Sequence, residues 1–144
     1  MTIAAILKHK GSDIAHVAPT APITEVARLL AEWRIGAVLV RDTAGQLLGI
    51  LSERDIVRSL AAAGEETLRM TAAQLMTAVL HTATPATTVP KAMEIMTLRR
   101  VRHLPVLDGG TLVGIVSIGD VVKARLTQQE AEVDSLKAYV SGVG

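Results

Sequence analysis

The sequence predicts a mixed α/β (α+β) protein of two β-α-β-β-α repeats, packed with pseudo-two-fold symmetry and followed by a C-terminal helix. Three observations carry this prediction. The 144 residues amount to about one domain at ~150 residues per domain, enough for a core that needs no metal or disulfide to hold it. Apolar residues make up 49% of the chain and aromatics only 1%, so the core is aliphatic. Finally, Gly49-Ile-Leu-Ser-Glu-Arg-Asp-Ile-Val-Arg58 recurs 65 residues later as Gly114-Ile-Val-Ser-Ile-Gly-Asp-Val-Val-Lys123, with five of ten positions identical and three conservative.

The repeat extends upstream with an offset of 66, because the turn Asp42-Thr-Ala-Gly45 is one residue longer than Asp108-Gly-Gly110. It aligns Val38-Leu-Val40 with Leu104-Pro-Val106, Ile23 with Val89 and Pro19 with Pro85. Thr2 to Leu7 resembles Thr71 to Met76, with three extra residues in the first repeat. The expected divisions are therefore 1–66, 67–126 and a C-terminal amphipathic helix and tail, 127–144.

Each repeat reads in the same order. A short apolar strand, Ile14 to Val17 or Val79 to Thr82, leads to a Pro/Thr-rich turn. The helix that follows carries apolar residues at spacings of three and four: Ile23, Val26, Leu29, Leu30 and Trp33, then Val89, Ala92, Met93 and Met96 in the second repeat. Trp33 and the two methionines are assigned to packing. A glycine-turn hairpin comes next, Ala37 to Arg41 with Gln46 to Leu51, and His103 to Leu107 with Leu112 to Val116. A second helix opens at Ser52 or Ser117. One such unit buries its apolar surface poorly, so the two are expected to pack together around a cleft. Thr127 and Glu130 have capping-box spacing, and Leu126, Val133, Leu136 and Val140 form the apolar stripe of the last helix.

Composition excludes several functional classes. The aliphatic bias rules out disorder and disfavours aromatic stacking platforms for single-stranded nucleic acid. Fifteen basic against 14 acidic residues give a net charge of +1, too small an excess for a duplex binder that works by phosphate neutralisation. With no cysteine there is no thiolate chemistry. The four histidines show no ligand spacing, so no metal site is expected. The initial apolar run, Ile3 to Leu7, is too short for a signal peptide, and a cytoplasmic location without a membrane partner is expected. No nucleophile-base-orienter set is present, and the chain is not expected to be an enzyme.

The chemistry lies in the repeated residues. Ser52/Asp55 and Ser117/Asp120 sit where a strand passes into a helix, and both residue types suit helix capping. The same helix start can bind a phosphate while a carboxylate holds ribose hydroxyls, and the two roles are compatible. Arg99-Arg100-Val101-Arg102-His103 concentrates basic residues just before a strand. It is either a solvated face or a phosphate contact through charge-assisted hydrogen bonds. Lys8 and Lys10 are weaker phosphate candidates, and the hydroxyls of Thr84 to Thr88 are assigned chiefly to capping.

Gly-Ile-Leu-Ser-Glu-Arg-Asp (49–55) and Gly-Ile-Val-Ser-Ile-Gly-Asp (114–120), together with Arg-His-Leu-Pro-Val (102–106), resemble a pair of cystathionine-β-synthase-type (CBS) domains. The whole chain is similar to stand-alone bacterial proteins of that type. The resemblance implies a disc-like module that forms a homodimer and binds an adenosine-containing small molecule in its cleft: AMP first, with ADP, ATP, NAD(H) or S-adenosylmethionine as further ligands. It requires no cofactor. Carried over residue by residue, one site combines Ser117, Asp120, Arg102 and His103 with an adenine slot of Ala21, Pro22, Ile35 and Ala37. The mirror site combines Ser52, Arg54 and Asp55 with Thr87, Thr88, Val101 and His103. Gly36 and Ala37 replace the Arg102-His103 pair in the first repeat, so unequal sites are expected, with the phosphorylated ligand at Asp120. The function implied is a non-catalytic sensor of energy or cofactor state acting through dimer packing, with no nucleic-acid partner and a regulated protein that the sequence leaves unnamed. The alternative is a ligand-independent interaction or oligomerisation module.

Overall fold

Valine- and leucine-rich runs separated by glycine turns favour pleated, half-buried ribbons, and they form the two expected hairpins. The computed structural model describes residues 1–11, 13–78 and 81–142. In chain order the elements are α1 (Ile3–Lys10), β1 (His16–Val17), α2 (Ile23–Trp33), β2 (Ala37–Arg41), β3 (Leu47–Ser52), α3 (Glu53–Ala63), a 3₁₀ turn (Gly64–Arg69), α4 (Ala72–Leu75), α5 (Val89–Arg99), β4 (His103–Asp108), β5 (Thr111–Ser117) and α6 (Ile118–Val140). They sort into two units. One is Asp13–Leu80; the other joins Met1–Ser12 to His81–Gly144.

In the unit Asp13–Leu80, β1 runs parallel to β2, which pairs antiparallel with β3 in the register Val38↔Leu51. Its core is aliphatic, with Val17, Ile23, Val26, Leu30, Val38, Val40, Leu51 and Ile56 buried. The other unit repeats the plan: β4 pairs antiparallel with β5 (Leu104↔Val116), and Ala83 bridges Val106 in parallel. Ile3, Ile6, Val89, Met96, Leu104, Val106, Val116 and Val121 fill its interior. Met96 is core, and Met93 packs partly buried against it.

The first twelve residues thus join the second repeat, and a repeated set of backbone bonds explains why. Ile3 N–H donates to Thr87 O (2.8 Å), Ala4 N–H to Pro85 O (2.9 Å) and Val89 N–H to Met1 O (3.0 Å). In the other unit Ala72 N–H donates to Ala21 O (2.8 Å), Ala73 N–H to Pro19 O (3.0 Å) and Ile23 N–H to Met70 O (3.0 Å). Each Pro/Thr turn therefore satisfies the otherwise unpaired N–H groups of a short helix start.

Several local expectations are corrected. The first strand shortens from Ile14–Val17 to His16–Val17. For the strand expected over Val79 to Thr82, Val79 and Leu80 lie outside the described residues. No helix begins at Thr127. Without glycine or proline from Asp120 to Val140, α6 runs unbroken, and the Thr127 hydroxyl donates to Lys123 O (3.0 Å) within it. Trp33, the last residue of α2, is 49% exposed rather than packed in the core.

The repeated glycine of the motif has a steric cause. A Cβ on Gly49 would lie 2.6 Å from Met76 Sδ and 2.8 Å from Thr77 O, while one on Gly114 would meet only the Leu7 side chain, at 2.7 Å. Thr77 is backbone-paired to Ile50 in both directions (3.1 and 2.9 Å), so it cannot yield, whereas a leucine terminus can rotate. Gly49→Ala should therefore lose about 1–3 kcal/mol of stability by overpacking and Gly114→Ala visibly less, as read from the midpoints of urea unfolding.

Candidate functional site

Ser117 and Ser52 are the N-caps of α6 and α3, and each forms a reciprocal capping box with the aspartate three residues on. Asp120 N–H donates to Ser117 Oγ (3.1 Å) and Ser117 N–H to Asp120 Oδ2 (2.8 Å). The other box is similar: Asp55 N–H donates to Ser52 Oγ (3.3 Å) and Ser52 N–H to Asp55 Oδ2 (2.9 Å). Each cap uses Oδ2 alone. The cap N–H groups, and Lys10 at Asp120, all reach Oδ2, and an ionised carboxylate, with about four lone-pair sites, retains acceptor capacity after capping its helix.

The strand entering each hairpin is tied to the same helix start. Ile118 N–H donates to Arg102 O (2.8 Å), and His103 lies opposite Ser117 in the ladder. Arg102 is exposed and His103 half-buried. In the other unit the equivalent bond runs from Glu53 N–H to Gly36 O (2.9 Å), with Ala37 opposite Ser52. Arg54, exposed in the first turn of α3, is the cation nearest in sequence to that cap. Val101 is half-buried just before Arg102, after Arg100 closes α5 in the left-handed conformation (φ 54°).

Within each unit the other expected site residues stand towards the two ends of a helix. Ala21 and Pro22 precede α2, while Ile35 and Ala37 follow it. Eleven helical residues separate the pairs by roughly 16 Å at ~1.5 Å per residue. Ala21 O is occupied by the α4 clasp. Thr87 and Thr88 likewise stand at the far end of α5 from Val101 and His103: Thr88 Oγ1 accepts from Lys91 N–H (3.2 Å) as the N-cap, and Thr87 Oγ1 accepts from Thr84 N–H (3.0 Å). The threonines serve as caps.

Lys10 is the residue whose part the sequence understated. Its Nζ donates to Asp120 Oδ2 at 2.6 Å and to Ile115 O at 3.0 Å. The signal was the extra length of the first repeat's opening segment: α1 has eight residues where α4 has four, and the added turn carries Lys8, His9 and Lys10. Among the described residues no ion pair reaches Asp55. There the Ser52 hydroxyl itself donates to Asp55 Oδ2 (3.0 Å). An open groove of about 580 Å³ runs between α1 and α6 past Ile6, His9, Lys10, Asp120 and Lys123.

Burial pushes the Asp120 carboxyl up, but the Lys10 hydrogen bond and charge and the Ser117 N–H outweigh it, leaving its pKa below the ordinary aspartate value. A depressed carboxylate pKa contributes stability that is complete above the unfolded value, about 4, and lost as the pH falls through the lower folded value. Lys10→Met should raise the Asp120 pKa towards the unfolded value, lowering stability at neutral pH and shrinking the further loss on acidification below about pH 4. Carboxyl-detected NMR titration checks this; an unchanged Asp120 titration would show that the ion pair does not form in solution.

Comparison with known proteins agrees with this architecture. The CBS domain family model matches twice, over residues 8–62 and 72–127. The chain belongs to the CBS-domain family. The crystal structure of a CBS-domain-containing protein from Agrobacterium tumefaciens is 43% identical, with a TM-score of 0.84 over 86% of this chain and 92% of that one. A CBS domain protein from Pyrobaculum aerophilum, complexed with AMP, is 28% identical (TM-score 0.74, 83% of this chain, 89% of that one). The CBS domain pair of protein MJ0100, in complex with 5′-methylthioadenosine and S-adenosyl-L-methionine, is 25% identical (TM-score 0.77, 90% and 98%). Among the described residues no helix is long and apolar enough to cross a membrane.

Proposed function

We propose that this CBS protein is a non-catalytic, cytoplasmic regulatory module that binds an adenosine-containing ligand, AMP foremost, and signals through the packing of a homodimer. The observation that carries the proposal is the Asp120 carboxylate, fixed through Oδ2 beside a helix N-terminus with Arg102, His103 and Lys10 in the same unit. A carboxylate oxygen accepts from the vicinal hydroxyls of a ribose, and charge-assisted bonds from the cations and the dipole of the helix start favour a phosphate. The complexes of relatives with AMP and S-adenosylmethionine support the ligand class.

For the adenine, the family resemblance points to the first repeat. Ile35 and Ala37 stand at the Ser52 end of their unit and are retained, whereas Ala21 and Pro22, beyond the length of α2, are assigned to clasping α4. Val101 and His103 take the corresponding part for Asp55, and Thr87 and Thr88 are left to capping. The two sites are unequal. Among the described residues Asp55 has no ion-pair partner like Lys10, and its phosphate grip falls to Arg54, so the phosphorylated ligand prefers Asp120. A ligand shifts dimer packing only by the difference in its affinity for the two arrangements.

Titration calorimetry with AMP, ATP, NADH and S-adenosylmethionine tests the reading, and absence of binding by all four at millimolar concentration refutes it. Asp120→Asn keeps a cap acceptor but loses the charge; at ~1.5–3 kcal/mol for a hydrogen bond to a charged group, AMP affinity should fall at least about tenfold. Asp55→Asn should change it less. Equal losses would refute the inequality of the sites.

A further inference from the structure

The last three turns of α6 are the least explained part of the molecule. Val121 and Ala124 are buried within their unit, but every residue from Gln129 to Val140 is exposed. A helix of this length without tertiary support is marginal in water. The segment is not uniformly polar: Val122, Leu126, Val133, Leu136 and Val140 are 40%, 54%, 49%, 62% and 76% exposed.

Their spacing is informative. With Gln129, these residues follow one another at intervals of four, three, four, three and four, which is the a/d seam of a heptad repeat. Leu126, Val133 and Val140 take a; Val122, Gln129 and Leu136 take d. Val121 and Ala124 fall at c and f, on the side opposite the seam, so packing on the unit leaves the seam uncovered. The flanking charges select the partner and its direction. In a parallel pairing with an identical helix, each g residue meets the e residue five positions on: Arg125 faces Glu130 and Glu132 faces Lys137 of the second copy, both attractive. An antiparallel pairing with the same core layers sets Glu130 against Glu130 and Glu132 against Glu132. Valine at a with leucine at d in the last layers favours two strands, and Gln129 within the seam disfavours other registers.

We propose that the C-terminal part of α6 forms a parallel, in-register, two-stranded coiled coil with a second copy of this chain. The same unbroken helix carries Asp120 in its first turn, so the dimer seam and the Asp120 helix start belong to one rigid rod. The inference rests on the seam and its charges and stands independently of any ligand.

The chain contains no cysteine, which permits a direct test on the full-length protein. Under mild oxidation Leu136→Cys should crosslink to its own copy, whereas Ala138→Cys, at an outward f position, should not. Failure of Leu136→Cys to crosslink, or equal crosslinking at position 138, overturns the proposal. Sedimentation velocity should show the dimer dissociation constant rising about tenfold in Lys137→Glu, from two lost surface pairs and two repulsive ones, and recovering in the double variant Glu132→Lys/Lys137→Glu. Absence of recovery overturns the parallel register. A monomeric wild-type chain, or a dimer untouched by Val133→Asp/Leu136→Asp, overturns the seam itself, and circular dichroism verifies that these tail variants remain folded.

Discussion

The seating of a short helix start in a Pro/Thr turn is the interaction on which most of this structure depends. It satisfies N–H groups that the helix cannot satisfy for itself, and it brings the residue five positions past the N-cap over a hairpin glycine that has no side chain to obstruct it. In one unit that residue is Leu7 over Gly114; in the other it is Met76 over Gly49. The clasp closes each core at the edge of its hairpin. In the unit containing β4 and β5 it also fixes the direction in which α1 continues, and that direction takes Lys10 to Asp120.

The candidate site follows from a division of labour within one carboxylate. A capping aspartate needs only one oxygen to accept from the N-cap N–H, and a helix start offers both free N–H groups and the positive end of the macrodipole. The remaining oxygen is held in place by the bond its partner makes. Rigidity and availability therefore come from the same motif, which is why a capping reading and a ligand reading of Ser-x-x-Asp do not compete. The two repeats differ in what else reaches Oδ2. Lys10 does so at Asp120; at Asp55 the Ser52 hydroxyl fills that role and uses its proton there.

Local patterns were legible where their cause was local. Consecutive apolar runs bounded by glycine turns located the hairpins, and helical periodicity located α2 and α5, because burial dictates both. Thr88 was recognisable as a cap because a hydroxyl before an apolar helix has an N–H within reach. Thr127 resembled a cap by spacing, yet nothing interrupts the helix there. Trp33 followed the apolar spacing but stands exposed at the helix end.

The sequence by itself determined that the protein is a doubled α/β unit with an aliphatic core, that each repeat ends a strand on a Ser-Asp cap, and that it belongs with the CBS pairs. These are properties of residue identity at fixed spacing. Only the tertiary structure decided that residues 1–12 complete the second unit rather than the first, that Lys10 is the cation on Asp120, and that the end of α6 extends uncovered with its heptad face outward. Each of these depends on where a segment packs after the chain has turned back on itself, and contacts between residues some 110 apart, such as Lys10 with Asp120, leave no periodicity for a sequence to display.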